Sequence, residues 1–88
     1  MIKFCNLFSG SSGNSTYIET LTTKLLIDAG VSCQRISKAL ESLDRSAKEI
    51  DGILISHEHS DHIKGIEVIA KKYNVPIYAT QKTWDAMQ

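Results

Sequence analysis

All three histidines of this chain fall in one short run, His57-Glu58-His59-Ser60-Asp61-His62, directly after the apolar stretch Ile53-Leu54-Ile55. That junction constrains the fold. A hydrophobic strand must be packed on its faces, while its end opens onto a polar segment crowded with ligand-type side chains. Three imidazoles and one carboxylate at a strand's end can hold two cations side by side. Neutral imidazole suits Zn, Mn, Fe, Co and Ni, and a carboxylate moves the site towards harder ions. A polar surface loop would scatter its histidines, so the pattern points to metal-dependent chemistry.

The remaining periodicities supply the scaffold. Residues 2–8 carry Phe4, Cys5, Leu7 and Phe8 and read as a first strand, with Cys5 as a small buried hydrophobe. A turn-rich serine–glycine loop follows. Thr16-Tyr17-Ile18-Glu19 and Lys24-Leu25-Leu26-Ile27-Asp28 are β-prone runs around a polar link and read as a hairpin.

Ser32 is a candidate helix N-cap. Ile36, Ala39, Leu40 and Leu43 then recur on one helical face, with Lys38, Glu41, Ser42 and Arg45 on the solvent side. Gly52 to Ser56 is a short continuous apolar strand of the kind buried on both faces.

After the histidine run, Ile63, Ile66, Ile69, Ala70 and Tyr73 predict a second helix that ends near Asn74, before Pro76. Asp61 and His62 then sit at or just before its N-terminus, where the helix dipole favours an anion. Ile77-Tyr78-Ala79 reads as a strand, and Thr80 caps a third helix through Thr83, Trp84 and Met87. Trp84 and Tyr73 read as core, and Lys71-Lys72 as a solvated helix end. This order of elements predicts an α/β layer with helices packed on a sheet.

Composition excludes several classes. Ten basic and ten acidic residues cancel, so there is no basic stripe of the kind that marks a nucleic-acid binder. Two cysteines do not make a disulfide framework, and a reducing cytoplasm is the simplest fit. No signal-peptide pattern is visible at the start, and no apolar run is long enough to span a bilayer.

The His-x-His-x-Asp-His run resembles the motif of the metallo-β-lactamase-fold hydrolases. The stretch from Ser9 to Thr16, followed by Leu26-Ile27-Asp28-Ala29-Gly30, resembles the opening of that superfamily's YycJ/WalJ branch, bacterial cytoplasmic proteins regarded as nucleases. The resemblance implies a four-layer αββα sandwich. Residues 1–88 would form the N-terminal part of one such domain, incomplete at its C-terminus.

It also implies two divalent transition metals, Zn or Mn. His57 and His59 would ligate one, and Asp61 and His62 the other. Asp61 would also orient a metal-activated hydroxide that attacks phosphorus. Asp28 would brace the metal-binding loop without being a ligand. Glu58 and Ser60 would point away.

The serine–glycine loop stays open between two readings. One is a substrate-contacting loop, with Ser11, Ser12, Gly13 and Asn14 meeting a phosphate as nests of backbone amides do. The other is a plain connection between strands. The activity expected from the resemblance is that of a phosphodiesterase or nuclease with a nucleic-acid substrate. A hydrolase of small esters, thioesters or lactones, or an inactive fragment of such an enzyme, are the alternatives. The chain alone is expected to be inactive and to associate with itself or with a missing C-terminal half.

Overall fold

The computed structural model describes residues 2–10, 13–56 and 65–86. Five strands form one mixed sheet in the order β1-β2-β3-β4-β5: β1 (Lys3–Phe8), β2 (Ser15–Glu19), β3 (Lys24–Ile27), β4 (Gly52–Leu54) and β5 (Ile77–Tyr78). The first three pair antiparallel, and β4 and β5 join parallel to β3. Parallel neighbours need crossovers, which the helices α1 (Cys33–Ser42) and α2 (Ile66–Tyr73) supply. A third helix, α3 (Gln81–Ala86), follows β5.

Register explains the core. Tyr17 lies opposite Leu26, Leu26 opposite Ile53, and Ile53 opposite Ile77. On this face they meet Ile36 and Leu40 of α1 and Ile66 and Ile69 of α2 in a single cluster. Leu26, Ile36, Leu40, Ile53 and Ile69 are fully buried. Each such side chain contributes about 1.5–3 kcal/mol relative to exposure.

The cluster draws on only that face of the sheet. Phe4, Leu54 and Tyr78 project from the other face, which accounts for their exposures of 68 %, 36 % and 55 %. Leu54 therefore departs from the expectation that β4 is buried on both faces. Its neighbours Ile53 and Ile55 are buried, and it alternates away from them.

The helix ends follow local chemistry. Ser32 accepts the Arg35 amide and caps α1, as its sequence position predicts. The helix stops where Asp44 takes a positive φ of 60°. The amides of Asp44 and Arg45 then close on the carbonyls of Glu41 and Leu40. Arg45 consequently leaves the helix and does not line its solvent side. Ser46 and Glu49 form a capping box around a single 3-10 turn, Ala47–Glu49, that the helical periodicity did not reveal.

α2 ends on Asn74 in the left-handed region, with the Val75 amide donating to the Ala70 carbonyl ahead of Pro76. Two cores expected from sequence are shallower than predicted. Cys5 is half-buried on the edge strand, and Trp84 is 38 % exposed because the short α3 turns Thr83 inward instead. The start of the second helix at Ile63 and the position of Met87 lie outside the described residues.

The end of the sheet remote from the histidine run is locked by charge. The Arg45 guanidinium donates through Nε and Nη2 to the two oxygens of Glu19, and Tyr17 Oη donates to Glu19 Oε1 at 2.7 Å. Hydrogen bonds from Arg45 and Tyr17 hold the Glu19 carboxyl down at about 2. Burial, and then the bond to Glu19, push the Tyr17 phenol up to about 12.

A depressed carboxylate contributes stability above its unfolded value of about 4.3, and that contribution fades as pH falls towards the folded value. Thermal melts across pH check this. Glu19→Gln should melt below the parent at neutral pH, and the two should converge between about pH 4 and pH 2. A gap between them that is constant over that range would contradict the lock.

Candidate metal centre at the strand ends

The C-terminal ends of β3 and β4 lie side by side because the strands are parallel, with Ile27 opposite Leu54. One residue further, Asp28 turns out of the sheet at a φ of 67°. Asp tolerates this left-handed conformation better than most residues. The Asp28 amide donates to the Leu54 carbonyl at 2.7 Å and keeps the two strand ends together.

Asp28 is buried, with 5 % of the residue exposed. Its Oδ1 accepts the Ser56 amide at 2.8 Å, and its Oδ2 accepts the Ser56 hydroxyl at 2.6 Å. Ser56 immediately precedes His57. Asp28 thus anchors the residue from which the His-x-His-x-Asp-His segment departs. Sequence reading singled out Asp28 but not Ser56, whose signal was its place between an apolar strand and a ligand motif.

Three further segments converge on this corner. The Asn14 carbonyl accepts the Gly30 amide at 2.9 Å, and the Ala29 carbonyl accepts the Gly65 amide at 2.6 Å. The loop between β1 and β2, the loop after β3 and the start of α2 therefore share one hydrogen-bonded floor. Two glycines make the approach possible. A Cβ on Gly13, whose φ is 148°, would lie 2.3 Å from Val31 Cγ1. One on Gly65 would lie 2.2 Å from the Val31 carbonyl oxygen.

In the serine–glycine loop the Gly10 amide donates to Asn14 Oδ1, and Asn14 Nδ2 donates back to the Gly10 carbonyl. Asn14 therefore closes the loop on itself. Ser11 and Ser12 lie outside the described residues, as do His57, His59, Asp61 and His62. Among the described residues no group of three or more His, Cys, Asp or Glu side chains is placed to hold a metal. The donor set of residues 57–62, attached at the floor that Asp28 secures, has the chemistry that divalent transition metals need.

The chain belongs to the metallo-beta-lactamase superfamily, whose family profile matches residues 9–88. It is 52 % identical over 86 residues to "Exodeoxyribonuclease WalJ" of Streptococcus pneumoniae serotype 2, a match covering 98 % of this chain and 32 % of that protein. It is 46 % identical over 87 residues to "Exodeoxyribonuclease YycJ" of Bacillus anthracis, covering 99 % of this chain and 33 % of that protein. The chain thus spans about a third of the length of these curated relatives.

A solved structure of a B3 metallo-beta-lactamase with an active-site glutamic acid superposes with a TM-score of 0.78. Identity there is 24 %, and the match covers 88 % of this chain and 30 % of that one. That likeness speaks for the fold alone: an α/β arrangement belonging to the metallo-β-lactamase sandwich. No helix among the described residues is long and apolar enough to cross a membrane.

The close approach at Gly65 has a measurable consequence. Gly65→Ala forces the Val31 backbone to move and should cost about 1–3 kcal/mol or more, as overpacking does. Chemical denaturation measures it, and a variant as stable as the parent would contradict the packing described here.

Proposed function

We propose that the intact protein is a metal-dependent exodeoxyribonuclease and that this chain carries the first part of its metal site. The supporting observation is the identity of 46–52 %, over nearly the whole chain, to proteins named as exodeoxyribonucleases. In this reading His57 and His59 hold one divalent cation, and Asp61 and His62 hold a second, Zn or Mn. Such a pair of cations neutralises charge that builds on a scissile phosphate and lowers the pKa of a bound water.

The chain's own residues have distinct tasks. Asp61 is the catalytic carboxylate that orients the attacking water. Asp28 keeps the ligand segment in place through Ser56. Ser11, Ser12, Gly13 and Asn14 form the loop that meets the DNA backbone.

The protein acts in the cytoplasm, a reading supported by the free thiols of Cys5 and Cys33. Residues 1–88 are one part of a single domain and are inactive alone. The apolar face bearing Phe4, Leu54 and Tyr78 is covered by the rest of the domain or, in the isolated chain, by self-association.

End-labelled DNA tests the activity. The intact protein should shorten it, and Asp61→Ala should reduce the rate to background. Undiminished cleavage by Asp61→Ala would remove its assigned role. Hydrolysis of a thioester without any action on DNA would instead favour a small-substrate hydrolase.

Asp28→Ala should weaken metal retention by about 10–100-fold, the usual effect of losing a group that orients metal ligands. Competition with a chromophoric chelator reads this directly. A variant that holds metal as tightly as the parent, yet melts far lower, would make Asp28 a structural residue only.

A further inference from the structure

Four of the chain's cations are occupied by ion pairs or lie away from the candidate site. Arg45 is bound by Glu19, Lys24 pairs with Glu49 at 3.0 Å, and Lys71 pairs with Glu67 at 2.9 Å. Lys72 sits 5.5 Å from the centroid of the Tyr73 ring, at the end of α2 remote from the candidate site. Arg35 differs from all four. It is exposed, and no carboxylate among the described residues pairs with it. Its guanidinium carbon nevertheless has a defined seat, 4.8 Å from the centroid of the Phe8 ring.

The location of that seat follows from topology. Phe8 ends β1 and opens the serine–glycine loop, opposite Ser15 where the loop re-enters the sheet. Arg35 lies in the first turn of α1, just after the Asp28–Val31 corner. The pair therefore spans the root of the loop, at the same end of the sheet as Asp28 and Ser56.

We infer that Arg35, held on Phe8, binds a backbone phosphate of the DNA strand next to the one that is cleaved. The inference rests on the nuclease reading above and adds a residue that selects polynucleotides over small esters. Planar guanidinium matches phosphate oxygens with two parallel donors, which ammonium cannot do. Seating the cation on an aromatic ring restricts it beforehand, so less ordering is lost when the phosphate arrives. Acidic and basic residues balance over these 88 residues. Within this part of the protein a local, preplaced cation beside the site can hold a charged strand.

The test uses the intact protein with its metals and a fluorescent, phosphorothioate-linked single-stranded DNA that resists hydrolysis. Binding is followed by anisotropy across a salt series. Losing one phosphate contact should flatten the slope of log K against log [salt] by about 0.7. We expect this change in Arg35→Gln, retention of most of the slope in Arg35→Lys, and the parental slope in Lys72→Gln. The last variant removes an equivalent charge from an aromatic ring at the far end of the molecule.

An unchanged slope in Arg35→Gln would overturn the inference. So would an equal loss in Lys72→Gln, which would make the effect one of diffuse charge, or a parent protein that binds no DNA. Cleavage of labelled DNA judges the nuclease reading separately. A parent that cleaves DNA with an unmoved Arg35→Gln slope defeats only the role of Arg35. A flattened slope without cleavage leaves phosphate binding by Arg35 intact and defeats the nuclease reading.

Discussion

One buried carboxylate organises the candidate site. Asp28 takes both the amide and the hydroxyl of Ser56, while its own amide closes on Leu54. A buried carboxylate without such donors would carry a large desolvation cost. Here its two oxygens are met by groups from the neighbouring strand end, so the cost is offset just before the histidine run. The parallel pairing of β3 and β4 makes this possible, because it brings two C-terminal strand ends to the same edge.

Around that anchor the backbone is packed without room for side chains. Gly13 and Gly65 let three loops share a hydrogen-bonded floor through Asn14, Ala29 and Gly30. Metal-ligating side chains need supports that hold them in one geometry.

Helix α1 links the two ends of the molecule, with an arginine near each end. Arg45, beyond its C-terminus, is tied to Glu19 and fastens the helix to the sheet. Arg35, in its first turn, rests on Phe8, and among the described residues no carboxylate pairs with it. The two residues have the same chemistry and different neighbours. A carboxylate from β2 holds one of them, and an aromatic ring from β1 seats the other. The sheet shows a comparable division: one face carries both crossover helices, and the other presents Phe4, Leu54 and Tyr78.

Much of this was legible in the sequence, because local rules act over short distances. Period-two and period-3.6 patterns located the five strands and the α-helices among the described residues, though not the 3-10 turn Ala47–Glu49, and Ser32 was recognisable as a cap. The histidine run, following an apolar strand, pointed to metal chemistry and to the superfamily that the family profile then matched.

Other features required the tertiary structure. Nothing local to Ser56 says that its donors meet Asp28, 28 residues earlier in the chain. Arg45 read as a solvent-facing helical residue until the positive φ of Asp44 ended the helix and turned Arg45 towards Glu19. Leu54 read as buried because a continuous apolar run does not reveal which faces of its sheet are covered. Arg35 carried no signal beyond its charge, since a stacking partner 27 residues away comes only from folding. The sequence by itself indicated most of the elements and a donor set of metal-binding type, which depend on neighbours along the chain. The tertiary structure decided which charges pair among the described residues, because pairing depends on neighbours in space.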